Sequence, residues 1–176
     1  MTPEQHRYVY VQSSIGGGVI NVLLNGFLGW LATIGQPVFP TWKVPGVGPD
    51  IVATAFGVVF GTCIGVALQI HVDTKKGKIT VPEVPAATSA RHAKLPRSLW
   101  VRAFGLGAVA ALVFAPPVLV ALAFTAPPEG LARATFIVLK GLFAGVEAAI
   151  VTPFIVLWAL LDVKPRATEA APATAS

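Results

Sequence analysis

Four stretches of the chain are apolar without alternation, at about residues 12–33, 51–71, 100–124 and 134–161. Each is long enough for a helix of ~20 residues to cross ~30 Å of hydrocarbon. Membrane-spanning sheets instead alternate apolar and polar positions in segments of ~10 residues and must close into barrels, so this pattern excludes them. The expected fold is an all-α integral membrane protein with four transmembrane helices in a compact bundle. Residues 1–11 form an amino-terminal segment, 12–161 the membrane domain, 73–98 a connector and 162–176 a low-complexity tail without a fold of its own.

The loops carry the orientation. Between the second and third stretches lie Lys75, Lys76, Lys78, Arg91, Lys94 and Arg97, with Arg102 just beyond. The loop before the second stretch has only Lys43, and the loop before the fourth has only Arg133. The positive-inside bias therefore puts the connector and both termini in the cytoplasm, in a plasma membrane of the bacterial inner-membrane type. Trp30, Trp42, Trp100 and Trp158 sit near expected span ends, where interfacial aromatics belong. The first span is too long for a cleavable signal and has no small-x-small site, so it is expected to remain as a helix.

Composition sharpens this picture at two points. Charged residues make up 12% of the chain, about half of what soluble domains carry. The net charge of +5 is mostly the topology signal of the connector. It points to anionic lipid headgroups beside the basic loop and not to nucleic acid. Cys63 is the single cysteine, and His6, His71 and His92 are scattered, so no metal or cofactor site is expected. No nucleophile elbow or phosphate-binding lysine motif occurs. His71 and Asp73 beside the "KKGK" run read as solvated helix-end residues. The expectation is a non-catalytic protein.

Within the spans, small residues recur every fourth position. Gly17, Asn21, Asn25 and Gly29 form one stripe, Gly57, Gly61 and Gly65 a second, and Gly141, Gly145 and Ala149 a third. Residues four apart stack on one helix face, and small faces let membrane helices approach closely. These glycine-zipper faces are expected to pack helices, within the bundle or in a homo-oligomer or complex with another membrane protein. The second and fourth spans align at an offset of 84 and the first and third at 86, the pattern of two parallel helix hairpins.

Polar residues at depth supply the candidate chemistry. Glu147 lies near the centre of the fourth span, where an ionised acid costs ~2.5–3.5 kcal/mol on insertion scales. Lys140 lies seven residues earlier on the same face, and its stem is expected to reach for the outer headgroups. Asn21, Asn25 and Thr62 fall at matching depth. Pro116, Pro117 and Pro153 free carbonyls one turn back and are candidate kinks. Two functions follow. The first is assembly through the glycine faces. The alternative is a small proton- or ion-coupled transporter or channel with Glu147 as the coupling site and Asn21, Asn25, Lys140 and Thr62 around it.

Overall fold

The computed structural model describes residues 3–76 and 98–162. Apart from its two ends, the connector expected over 73–98 lies outside the described residues, as does the tail beyond Asp162. Four helices are long and apolar enough to cross a membrane, and the architecture is all-α. A short helix α1 (Pro3–His6) and a π-helical segment (Arg7–Gln12) run into α2 (Ser13–Ala32). Then come α3 (Val47–Lys75), α4 (Leu99–Thr125) and α5 (Arg133–Asp162).

The last three helices extend beyond their expected spans, and the first, with the π-helical segment, covers Arg7–Ala32 against an expected 12–33. The largest extension is at α3, which begins at Val47, ahead of the start expected at about residue 51. Pro49 is tolerated there because amides of the first turn have no intrahelical acceptor. Asp50 sits in the same turn, where a negative charge meets the positive end of the helix dipole. Val47 and Ile51 are fully buried, so this turn is held by packing. The helix α4 continues through Pro116 and Pro117, and α5 through Pro153.

Two short strands join the loops at one end of the bundle. β1 (Val38–Phe39) pairs antiparallel with β2 (Leu131–Ala132), Val38 opposite Ala132 and Phe39 opposite Leu131. Gly130 precedes β2 with φ 116°, a conformation that favours glycine, and the Phe39 carbonyl fills the space where a side chain would sit. Phe39, Leu131, Phe136 and Ile51 form the core beneath this pair.

The helices pack in the order α2, α5, α3, α4. The α2–α5 seam is a contact of small residues. A Cβ at Gly17 would stand 2.6 Å from Thr152 Oγ1, one at Gly18 3.2 Å from the Gly145 carbonyl, and one at Gly141 3.1 Å from the Val22 carbonyl. In lipid such close approach is what favours association. The α3–α4 seam is aromatic, with Phe56 against Phe104 and Phe60 against Trp100, and Gly107 making room for Phe56. Ala144 and Ala148 of α5 meet Val58 of α3.

α2 and α3, neighbours in sequence, scarcely touch. Val9 of the π-helical segment ahead of α2 packs with Ile70, Val156 and Leu160. Between α2 and α3 runs a groove of about 820 Å³. The bundle is therefore less compact than the sequence implies.

Candidate functional site

The groove gathers most of the polar residues expected to carry chemistry. Asn21, Asn25, Thr62 and Lys140 all line it. Asn21 and Asn25 stand one turn apart on α2. The Asn21 amide donates to the Gly17 carbonyl at 2.9 Å, and the Asn25 amide to the Asn21 carbonyl at 3.2 Å. Both side chains are thus pinned along their own helix, a usual way to satisfy an amide in a helix interior. The Asn25 amide also donates to Asn21 Oδ1 at 3.4 Å.

The floor of the groove is the α3 glycine stripe. Gly57, Gly61 and Gly65 line it, and a Cβ added at any of them would meet nothing within 4 Å. The stripes were expected to pack helices within the bundle or between chains, and they divide here. Gly17, Gly29, Gly141 and Gly145 do so, on the α2–α5 seam. The α3 stripe stays open. Ile20, Leu24 and Leu28 form the facing α2 wall.

One end of the groove is charged. Lys140 Nζ donates to both Asp50 carboxylate oxygens, each at 2.6 Å. The Lys140 side chain is 8% exposed and that of Asp50 22%. Thr54 Oγ1 donates to Asp50 from one turn further along α3, at 3.4 Å. Lys140 was expected to reach the outer headgroups, and instead it is buried against α3. The reason is Asp50. A buried ammonium without a partner is far costlier than a paired one, and Asp50 lies within reach across the seam. Asp50 and Thr54 were missed by sequence reading. Their signal was an acid in a first turn with a hydroxyl four residues on. The opposite end is polar without net pairing, with Tyr8, Gln12, Ser13 and Gln69.

Glu147 stands apart. It is fully buried, and neither carboxylate oxygen has a hydrogen-bond partner among the described residues. It does not line the groove, and no hydrogen bond joins it to Asn21 or Asn25. The expectation that one layer gathers these amides around the carboxyl is therefore corrected. Asn21 and Asn25 face the α2–α3 groove, whereas Glu147 is enclosed within the helix packing.

A second ion pair ties the helix ends. Arg102, at the start of α4, donates to Asp162 at the end of α5. It is a brace at the end opposite the strands. Cys63 is buried with Val59, Ala103 and Ala110, away from the groove. Among the described residues no group of three histidine, cysteine or acidic side chains is placed to hold a metal ion. No model of a known protein family matches this sequence, and no curated protein or solved structure resembles it.

Proposed function

We propose that this chain is a non-catalytic multi-pass membrane protein that binds a lipid in the groove between α2 and α3. The observation that carries this reading is the groove itself. It is floored by three unobstructed glycines, walled by Ile20, Leu24 and Leu28, and has its charged groups gathered at one end. That distribution suits an amphiphile with one head and a slim tail. In the orientation given by the basic residues, the strand pair and the Lys140–Asp50 end face outward and the termini face the cytoplasm.

From Asp50 to Gln69 the floor is ~28 Å long at 1.5 Å per residue. The groove holds about 820 Å³ along that length, a slender space that suits an extended hydrocarbon chain. From Asp50 to Gly61 the distance is ~16 Å, close to one leaflet of a ~30 Å hydrocarbon core.

A second reading keeps the assembly function. A helix of a second copy or another membrane protein would rest on the groove's rim, with its own small residues over Gly57, Gly61 and Gly65. The clear space above those glycines favours it. The ion-coupled reading has less support, because Glu147 does not border the groove.

The test is lipid retention. The purified protein, released from detergent and weighed intact by mass spectrometry, is expected to carry bound phospholipid. Gly61→Phe, which fills the floor, is expected to lose it. Equal retention by both proteins overturns the lipid reading. In that case a disulfide-linked dimer of Gly61→Cys, made in a Cys63→Ala background, would support assembly.

A further inference from the structure

The Lys140–Asp50 pair gives the groove a chemical preference, and this inference rests on the lipid-binding reading above. We propose that the groove selects lipids whose headgroup carries both a primary ammonium and a phosphate, as phosphatidylethanolamine does.

The reasoning starts from the charges already present. Lys140 Nζ has three donors, and two point to the Asp50 oxygens. One N–H remains for a ligand. The Asp50 carboxylate can accept about four hydrogen bonds, and Lys140 and Thr54 supply three. One acceptor site remains. The pair thus offers one donor and one acceptor side by side, with both side chains bordering the groove.

A headgroup with a single charge fits this poorly. A lone phosphate would approach Lys140 but also the Asp50 carboxylate beside it. To pair fully it would have to pull Lys140 from Asp50 and leave a partly buried acid unpaired, which is strongly unfavourable. A headgroup that brings both charges avoids this. Its phosphate takes the free Lys140 donor, its ammonium takes the free Asp50 acceptor, and all four charges remain paired. A primary ammonium has N–H groups to give to Asp50, whereas a trimethylated one has none, so ethanolamine outranks choline.

The tail has a course consistent with this. Leaving the Asp50–Lys140 end, it passes Thr54 and lies over Gly57 and Gly61, opposite Leu24 and Ile20. Side chains at those glycines would obstruct it.

The experiment uses the full chain in vesicles of phosphatidylethanolamine, phosphatidylcholine and phosphatidylglycerol in equal parts, followed by extraction and intact mass spectrometry. The wild-type chain is expected to retain the ethanolamine lipid at least tenfold over the other two. The doubly apolar variant Asp50→Leu/Lys140→Met removes both charges together and leaves none unpaired. Its retention of the ethanolamine lipid is expected to fall to the level of the other two. Equal retention of the three lipids by the wild type overturns the headgroup inference and leaves lipid binding standing, as does a preference that survives in the double variant. Retention of no lipid by the wild type, or undiminished retention by Gly61→Phe, overturns both. A Gly61→Cys dimer in place of bound lipid also overturns both.

Discussion

Removing Lys140 tests how much the groove's charged end contributes to holding α3 on α5. In Lys140→Met the stem is kept and the ammonium is lost, so Asp50 keeps its charge and only the 3.4 Å bond from Thr54. Breaking one partner of a fully buried ion pair costs about 3–5 kcal/mol. Asp50 is 22% exposed, so water offsets part of this, and about 2–3 kcal/mol is the expected loss. Replacing both partners, as in Asp50→Leu/Lys140→Met, leaves no unpaired charge and is expected to be within about 1 kcal/mol of the wild type. The assay is reversible unfolding in mixed micelles, followed by circular dichroism for the wild type, Asp50→Leu, Lys140→Met and the double variant. The resulting cycle isolates the coupling of the two side chains. A single Lys140→Met variant as stable as the wild type, with additive effects in the cycle, would refute the pairing.

Other expected outcomes follow from the same packing. Gly145→Val places a side chain against Val22 and the Gly18 carbonyl. Overpacking of this kind costs ~1–3 kcal/mol, and the same unfolding assay reads it; an unaffected variant would contradict the α2–α5 seam. Gly57→Ala meets nothing within 4 Å and gains helix propensity of up to ~1 kcal/mol. It is expected to unfold no more easily than the wild type, and a clear loss of stability would mean the floor is covered. Cys63 is buried away from the groove, so a membrane-permeant maleimide is expected to label Gly61→Cys in a Cys63→Ala background much faster than native Cys63. Equal rates would contradict the placement of the two helix faces. Glu147→Leu removes a buried carboxyl with no partner among the described residues and is expected to be neutral or stabilising. Destabilisation by more than ~2 kcal/mol would show that the carboxyl is bonded.

Much of the fold was legible in the sequence, because long apolar runs leave few alternatives. The span positions follow from hydropathy alone. Two features were not legible, for different physical reasons. The first turn of α3 lies in a stretch rich in proline and glycine, and local signals there read as loop. Burial of Val47 and Ile51 under Phe39 and Phe136 overrides them. The groove was hidden because small-residue stripes carry no address. Gly17 and Gly141 look like Gly57 and Gly61 in sequence, yet the former close a seam and the latter lie open. Depth matching placed Asn21, Asn25, Thr62 and Glu147 in one layer, but depth says nothing about which way each helix is turned. Lys140 was singled out for its depth, and its partner Asp50 was missed because it was read as the edge of a loop.

The central claim is that a lipid chain lies between α2 and α3. Photolabelling with a phosphatidylethanolamine that carries a diazirine in its acyl chain tests it most directly. After irradiation in vesicles and digestion, the label is expected to concentrate on residues 54–61 and 20–28. The outer surface of α4, with Leu112, Val113 and Val120 exposed, is expected to carry only background. Label spread evenly over the α4 face and the groove would contradict the account.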